Sequence, residues 1–494
     1  MYFLGIDLGS SSVKVALVDS ASGITAGLAQ VPDEEMCMQS PKKGWAEQAP
    51  ETWWELACQG IDKVRSQTGI SPDQIRGVGI AYQMHGLVVV DKNGAALRPS
   101  IIWCDSRAVE IGQEAYNDLG SDYCDTHLLN APGNFTASKL KWVQQHEPDT
   151  YARVYKMMLP GDYIAYRLSG VLNTTISGLS EGILWDFKKD RVSEDLLTHY
   201  GIEPGLIPDL VDTFGEQSSV SATGASESGL QEGTPILYRA GDQPNNALSL
   251  NVFQPGEVAA TGGTSGVVYA IRDSPDIHET TRVNHFAHVN YQLGKQKVIG
   301  TLLCINGTGI QYRWLLNNLA VTSYQEMNQL ASQVGVGSDG VRLIPFGNGA
   351  ERMLDNLEVG AHILHLDLNR HSKAHLCRAA LEGIAFAFAY GIGIMEADGL
   401  DATVIRAGND NLFRAEIFAT TLATLIEREI AIYDTTGAVG AARACILNDG
   451  DYDTFAAYTE NDLIKTYKPL PDMESYQKAY SHWKNELEII LQKH

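Results

Sequence analysis

Two short stretches of this sequence, about 250 residues apart, share one pattern that restricts the folds open to the chain. Residues 3–19 read FLGIDLGSSSVKVALVD, and residues 256–271 read GEVAATGGTSGVVYAI. In both, a turn of glycine and hydroxyl residues leads into an apolar run, which is typical of a hairpin between buried strands. Backbone N–H groups and hydroxyls at such turns can hold phosphate oxygens. The repeat therefore predicts two similar halves, each presenting a phosphate-binding hairpin to a shared cleft.

The first hairpin carries the groups that phosphate binding needs. Gly9 lacks a Cβ, so the backbone at the turn can approach a ligand closely. Ser10–Ser12 supply three hydroxyls, and Lys14 follows on the second strand. Asp7 precedes the turn, where a carboxylate could hold Mg²⁺ through water, because Mg²⁺ prefers oxygen ligands and keeps several waters. These residues alone leave an ordinary hairpin with a polar tip as the alternative.

Length, composition and charge limit the class of protein. The 494 residues exceed what one hydrophobic core usually fills, so two domains are expected. Hydrophobic residues make up 44% and charged residues 20%, a mix that predicts a folded globular chain. The net charge of −23 argues against nonspecific binding to nucleic acid or to an anionic membrane.

The cysteines and the apolar segments predict a cytoplasmic location. The seven cysteines are scattered, odd in number and form no CxxC pair, which indicates reduced thiols and no zinc site. The first residues lack the basic region of a signal peptide. The longest apolar run, residues 383–395, has 13 residues, which is too short for a bilayer span and predicts a buried helix.

Two polar turns in the first half have the composition of a sugar site. His85 lies beside a glycine, directly after a strand predicted near residues 75–80. Further along, Trp103 is followed by Asp105 and Arg107. The aromatic ring could stack on a sugar, and the two charged groups could bind its hydroxyls. The alternative for His85 is a purely structural histidine. The alternative for the second turn is a buried tryptophan beside a surface ion pair.

Two further strand ends carry candidate functional residues. A strand predicted at residues 236–239 leads into Gly241-Asp242-Gln243 at the start of a helix, where the helix dipole would keep the Asp242 carboxylate ionised. Asp242 could then be a general base or a simple N-cap. A strand at residues 404–407 leads into the turn 408–411, which suits a nucleoside.

The motifs together resemble those of the FGGY carbohydrate kinases, members of the actin-like ATPase superfamily. The similarity extends over essentially the whole chain and keeps the family's order. The Met84-His85-Gly86 turn is similar to that of the xylulokinase branch, whereas glycerol kinases have an arginine–glutamate pair there. The matching segments are residues 5–14, 83–86, 103–107, 241–243, 263–266 and 378–383.

The resemblance implies an α/β fold of two actin-like (ribonuclease H-like) ATPase domains around a central cleft. The first domain, residues 1–247, would bind the sugar and carry the first phosphate loop. The second, residues 248–494, would bind the nucleotide. ATP and Mg²⁺ are the implied cofactors, with a sugar as the small-molecule partner, no nucleic acid or membrane partner, and a homodimer as a common assembly in this branch.

The resemblance also assigns roles to individual residues. Asp242 matches the catalytic base, and Asp7 is the candidate metal ligand. The predicted substrate-binding residues are Met84, His85, Trp103, Asp105, Asp242 and Gln243. The predicted nucleotide-binding residues are Ser10, Ser11, Ser12, Lys14, Gly263, Thr264, Ser265, Gly408 and Asn409. The family usually has a Gly-Gly run where this chain has Gly408-Asn409-Asp410, and the loop in this chain is shorter than in the family.

The implied activity is phosphorylation of a ketopentose by ATP, with D-xylulose converted to D-xylulose 5-phosphate. A kinase for another sugar or polyol, such as ribulose, fuculose or gluconate, is the alternative within the same class. A non-catalytic actin-like nucleotide switch is the alternative from another class, although it would not need a sugar base. The chain has no GxxxxGK[ST] sequence and so is not expected to be a P-loop enzyme.

Overall fold

The computed structural model describes residues 1–410 and 412–494, so Asn411 of the predicted nucleoside turn lies outside the described residues. The first half is built on a six-stranded sheet in the order β5-β6-β4-β1-β2-β3. Its strands are β1 (Tyr2–Leu8), β2 (Val13–Asp19), β3 (Thr25–Val31), β4 (Ile75–Tyr82), β5 (Phe214–Ser219) and β6 (Pro235–Gly241).

The second half is built on a seven-stranded sheet in the order β9-β10-β8-β7-β11-β12-β13. Its strands are β7 (Glu257–Gly262), β8 (Gly266–Arg272), β9 (Asn284–Ala287), β10 (Ile299–Ile305), β11 (Val404–Gly408), β12 (Ile430–Tyr433) and β13 (Leu463–Tyr467).

The two sheets repeat one topology, which confirms the internal repeat predicted from the sequence. In the first sheet, β1 pairs antiparallel with β2 and parallel with β4, and β4 pairs parallel with β6. In the second, β7 pairs antiparallel with β8 and parallel with β11, and β11 pairs parallel with β12. Both glycine-hydroxyl turns are therefore the tips of equivalent hairpins at the centre of each sheet.

Helices cover the sheets and connect their strands. The labelled helices are α1 (Pro50–Thr68), α2 (Thr136–His146), α3 (Pro160–Ser169), α4 (Ile176–Glu181), α5 (Asp242–Ser249), α6 (Gly309–Asn318), α7 (Lys373–Ala397), α8 (Glu416–Leu425), α9 (Gly437–Ala444) and α10 (Met473–Leu491). Further helices are Val109–Leu119, Ser121–Tyr123, Pro148–Tyr151, Glu194–Tyr200, Ala222–Ser228, Tyr324–Ala331 and Tyr452–Glu460. Small two-stranded sheets pair Glu47–Gln48 with Ser100–Ile101, Val88–Val90 with Lys156–Met158, Asn173–Thr175 with Asp209–Val211, Trp185–Asp186 with Arg191–Val192, and Arg342–Phe346 with Gly360–Leu364.

The central helix of the second half is α7, which contains the apolar run at residues 383–395. Ser372 caps its N-terminus, with the hydroxyl accepting from the Ala374 N–H. Within the described residues, α7 is the one helix long and apolar enough to cross a membrane, but 83% of its most apolar window is buried inside the protein. The prediction of a buried helix is confirmed.

The two halves meet through α5 and α9, the helices that follow the equivalent strands β6 and β12. The Asn245 amide on α5 donates to the carbonyl of Gly437 on α9 at 3.0 Å. Small residues allow α9 to lie directly on the first sheet: a Cβ added to Gly79 would lie only 2.7 Å from the carbonyl carbon of Ala441. Since α9 follows β12 in the chain, the second half contributes a helix to the core of the first.

Candidate active site

The first hairpin forms the predicted turn, and a glutamine supports it from behind. The Gly9 N–H donates to the Ser12 carbonyl at 3.0 Å, which closes the turn. The Gln48 amide donates to the Ser10 carbonyl at 2.7 Å, and its oxygen accepts from Gln83 at 3.2 Å. Gln48 therefore links the serine turn to the residues that follow β4.

Asp7 and Asp242 approach each other because their strands belong to one parallel set. The C-terminal ends of β1 and β6 lie on either side of β4, with both Leu8 and Gly241 in register with Tyr82. Burial and the nearby Asp7 charge raise the pKa of Asp242 to about 7. Burial also raises the pKa of Asp7, although Lys14, directly opposite it in the hairpin, opposes this. Asp242 begins α5 directly after β6, as the sequence predicted.

The turn after β4 places His85 in an unusual backbone conformation. Its φ is 40°, in the left-handed region that non-glycine residues rarely adopt. The imidazole packs edge-on against Phe135 at 5.0 Å between ring centroids, and Nδ1 is buried without a hydrogen-bond partner among the described residues. Burial lowers the pKa of His85 well below its ordinary value, so the ring is neutral at pH 7.

Met84 and Gln243 lie on the two chain segments that border Asp242. A Cβ added to Gly241 would lie 2.7 Å from Met84 Cγ and closer still to Glu181 Oε2, so these three residues are packed tightly together. Hydrogen bonds from Gln243 favour the ionised form of Asp242, but burial has the larger effect and raises its pKa. Gln243 Oε1 is buried without a hydrogen-bond partner in the described part of the chain, so it is available to a ligand hydroxyl.

The structure does not show the buried tryptophan and surface ion pair that were the alternative to a sugar site at Trp103 and Asp105. Trp103 is 49% exposed rather than buried, which leaves its face open to a ligand. Asp105 is 0% exposed, and its Oδ2 accepts from the Ala46 N–H at 2.6 Å and from Arg107 at 2.7 Å. The Arg107 guanidinium in turn lies over the Trp45 ring at 3.8 Å. Both oxygens of Asp105 are therefore engaged in a buried ion pair that anchors the loop, and a contact between Asp105 and the sugar stays a prediction.

The second hairpin meets two other turns of the second half. The Asp410 carboxylate accepts from the Gly262 N–H at 2.8 Å, and the Ile310 N–H donates to the Thr264 carbonyl at 3.0 Å. A Cβ on Gly309 would lie 3.0 Å from the carbonyl carbon of Gly263. The structure thus brings together three turns, at residues 262–266, 306–311 and 408–410.

The predicted nucleotide-binding residues of the second half lie in these turns. Gly263 and Ser265 are partly exposed and Thr264 is exposed, as expected of a ligand-binding tip. The Asn409 N–H donates to the Tyr433 carbonyl at 2.8 Å, which fixes the Gly408–Asn409 turn at the end of β11. The Asn409 side-chain oxygen accepts from Arg414 at 3.3 Å, so this amide is partly engaged already.

Sequence reasoning did not assign the 306–311 turn or Glu351, which supports it. The two Glu351 oxygens accept from the N–H groups of Asn306 and Gly307, at 3.0 and 2.9 Å. Burial raises the pKa of Glu351 to about 7, although both N–H groups oppose this. The only local signal was the glycine-flanked Thr308, and nothing in the sequence linked the adjacent Gly307 to a glutamate 44 residues later.

Comparison with known proteins agrees with this arrangement. A family model described as the N-terminal domain of the FGGY family of carbohydrate kinases matches residues 2–249. The xylulose kinase of Haemophilus influenzae is 27% identical, with 98% of this chain and 99% of that protein covered. The xylulose kinase of Bacillus subtilis is 26% identical, with 98% and 97% covered.

Solved structures share the fold over the whole length. The xylulose kinase from Rhodospirillum rubrum has a TM-score of 0.88 at 24% identity, with 99% of each chain covered. The glycerol kinase of Plasmodium falciparum, solved with ADP, also has a TM-score of 0.88, at 18% identity and with 99% and 98% covered. The predicted α/β fold of the actin-like type is confirmed. With a matching family model over half its length and its motifs in the family's order, the chain belongs to the FGGY family of carbohydrate kinases.

Proposed function

We propose that this protein phosphorylates a ketopentose with ATP, and that its substrate is D-xylulose, which it converts to D-xylulose 5-phosphate. The observation that carries the proposal is the position of Asp242. This carboxyl group has a pKa raised to about 7 and lies among the Met84–His85 turn, Gln243 and the first hairpin. The xylulose kinases named above support the choice of sugar.

The proposed sugar site uses polar atoms that the protein leaves unpaired. His85 Nδ1 and Gln243 Oε1 are buried without partners among the described residues, so a sugar hydroxyl would satisfy each of them. Met84 would pack against the carbon chain, and the exposed ring of Trp103 would stack on it. A neutral His85 ring can donate or accept one hydrogen bond without adding charge.

Asp242 would act as the general base in a direct transfer. The sugar hydroxyl gives its proton to the Asp242 carboxylate while its oxygen forms a bond to the γ-phosphorus of ATP. The bond from that phosphorus to the oxygen bridging it to the β-phosphate breaks, and ADP leaves with the electron pair. A pKa of about 7 suits this role, since the base is then about half ionised near neutral pH and still a good proton acceptor.

The residues present fit a divalent cation at the phosphates. The Asp7 carboxyl group would supply a hard oxygen ligand, directly or through water. Burial raises the pKa of Asp7, and a cation beside it would favour the ionised form. Mg²⁺ bound there would neutralise charge on the phosphate oxygens. Lys14, opposite Asp7, would add a second positive charge.

The nucleotide would lie between the two hairpin tips. Ser10–Ser12 would face the phosphates from the first half, and Gly263–Ser265 from the second. Gly408 and Asn409 would border the nucleoside, with the 306–311 turn beside them. In this proposal residues 1–247 form the sugar domain and residues 248–494 the nucleotide domain, in a cytoplasmic enzyme with no nucleic-acid or membrane partner. The expectation of a homodimer stays a prediction.

The test is ADP release with Mg-ATP against a panel of D-xylulose, D-ribulose, L-fuculose, D-gluconate and glycerol, for the wild type and for Asp242→Asn. We expect the highest kcat/KM with D-xylulose and a loss of about 10²–10⁴-fold in kcat for the variant, which is the range for a general base. A different preferred sugar would refute the substrate while keeping the mechanism. If no sugar stimulates ATP turnover, the nucleotide-switch alternative replaces the kinase.

A further inference from the structure

The left-handed His85 needs a structural cause, because its own side chain disfavours that conformation. A φ of 40° costs a residue with a Cβ more than it costs glycine, and the neighbouring Gly86 could have taken this position in the turn. Strained backbone of this kind persists only where the surroundings hold it in place, and such residues cluster at functional sites. The contacts of the His85 peptide groups therefore identify what holds it.

Both backbone polar groups of His85 are held by buried ionisable side chains. Lys139 Nζ, from α2, donates to the His85 carbonyl at 3.0 Å. Glu181 Oε1, at the end of α4, accepts from the His85 N–H at 3.2 Å. Lys139 is 0% and Glu181 1% exposed, so water cannot replace either bond.

The same two side chains reach the rest of the proposed sugar site. Lys139 also donates to the carbonyl of Ile102 at 3.0 Å, directly before Trp103. The second oxygen of Glu181 lies against Gly241, directly before Asp242. One buried ammonium and one buried carboxyl group thus contact three chain segments: the His85 turn, the Trp103 loop and the end of β6.

Simple packing does not account for two ionisable groups at these positions. Burying an ammonium or a carboxyl group is costly, and an apolar side chain of similar length would fill the space with less cost. Asp105, whose charge acts on Lys139, is already bound to Arg107 and to the Ala46 N–H. The directed contacts of Lys139 are those to the two backbone carbonyls.

We propose that Lys139 and Glu181 are positioning residues that clamp the backbone of His85 in its left-handed conformation and so fix its imidazole for the sugar. This rests on the proposed function, since it deepens the role given there to His85. The clamp acts on substrate binding through His85 and leaves the nucleotide turns unaffected. In this role both residues act through His85 and not on the reacting atoms.

The first experiment measures KM for the sugar and for ATP in Lys139→Met and Glu181→Met, with Glu181→Gln as the conservative variant. We expect a rise of about tenfold or more in the sugar KM for the two Met variants, and less than about twofold in the ATP KM. Glu181→Gln keeps an acceptor oxygen, so its rise should be smaller. The matched control is Lys141→Met, because Lys141 lies on the same helix and donates to the Tyr200 carbonyl, away from the site. Equal rises in both KM values would overturn the proposal.

The second experiment asks whether the clamp works through His85. The loss in kcat/KM caused by Lys139→Met is measured in the wild type and in His85→Asn, because asparagine tolerates the left-handed region. We expect the loss to shrink to within about twofold in the Asn background, since there is no imidazole left to orient. A loss of the same size in both backgrounds would assign Lys139 a general structural role and refute the clamp.

The third experiment needs no substrate, so it separates failure of the clamp from failure of the proposed function. Selective ¹⁵N labelling of the 13 histidines, with His85 assigned from the His85→Asn spectrum, gives the exchange rate of the His85 amide. We expect Glu181→Met to speed this exchange by about tenfold or more, because the amide loses its buried acceptor, and to leave the other histidine amides unchanged. An unchanged His85 rate refutes the clamp even if the protein proves to be a kinase.

Discussion

Replacing Asp242 by Asn should stabilise the protein while removing most of its activity. The pKa of this carboxyl rises from 3.8 to about 7 on folding. At 1.36 kcal/mol per unit, a shift of about three units sets a ceiling of about 4 kcal/mol on the cost of ionising it in the folded state. Because Asp242 is partly exposed, solvent screening reduces this to about 1–3 kcal/mol. The neutral amide of Asn avoids that cost.

The sign of the pH dependence follows from the direction of the shift. Between the unfolded pKa near 4 and the folded pKa near 7, the unfolded chain has lost this proton while the folded protein retains it, so stability falls as pH rises. Above about pH 7 both states are ionised and the cost is constant. Asn should therefore match the wild type near pH 4 and exceed it increasingly up to about pH 7.

The assay is thermal unfolding of both proteins at a series of pH values, together with the pH profile of kcat/KM for the wild type. For a cooperative unit of about 250 residues, 1–3 kcal/mol corresponds to a rise of about 2–6 °C in Tm for the Asn variant at pH 8. The wild-type profile should have an acid limb with its midpoint near 7. Asp7→Asn should move that limb to lower pH, because the Asp7 charge raises the Asp242 pKa. A Tm for Asp242→Asn that lies below the wild type at pH 8, or an acid limb below pH 5, would refute the reasoning.

Three further changes test the surroundings of the site. Gly79→Ala should lower the free energy of unfolding by about 1–3 kcal/mol, measured by urea titration, because the new Cβ would meet the backbone of Ala441 on α9; an unchanged value would contradict the tight packing of α9. Glu351→Gln should raise the KM for ATP by about three- to tenfold and leave the sugar KM unchanged, because one charge-assisted acceptor of the 306–311 turn is lost. Steady-state kinetics with both substrates would measure the two KM values. Asp105→Asn should destabilise the protein by about 2–3 kcal/mol in the same titration, because the buried Arg107 keeps Glu47 but loses its second charged partner. An effect confined to the sugar KM, with stability unchanged, would instead support Asp105 as a sugar contact.

Local sequence patterns predicted the parts of this fold that depend on neighbouring residues. The two glycine-hydroxyl turns, the strand before His85 and the strand before Asp242 all lie where the sequence indicated. Each is determined within about ten residues by apolar periodicity and turn chemistry. Their meeting at one edge of the sheet follows from the parallel pairing of β1, β4 and β6.

The residues that the sequence did not reveal act over long separations. No pattern in the sequence singles out Lys139, yet its ammonium binds carbonyls 54 and 37 residues away. A charged residue on a helix is ordinarily exposed, so no pattern indicates that this one is buried. Asp105 shows the same limit: its local composition suited a sugar, but the Ala46 N–H that it binds lies 59 residues earlier in the chain.

The repeated hairpins share a topology but differ in charge, and the difference supports a division of roles between the halves. In the first hairpin Asp7 lies opposite Lys14, next to the turn. In the second hairpin the equivalent pair is Thr261 and Val267, which carries no charge. Among the described residues, the strand pair beside the first turn thus carries a carboxylate and an ammonium, whereas the strand pair beside the second carries neither, and its turn offers hydroxyls and backbone N–H groups that suit phosphate. From this asymmetry we expect Thr261→Val to change the KM for ATP by less than about threefold, whereas Asp7→Asn lowers kcat by at least about tenfold.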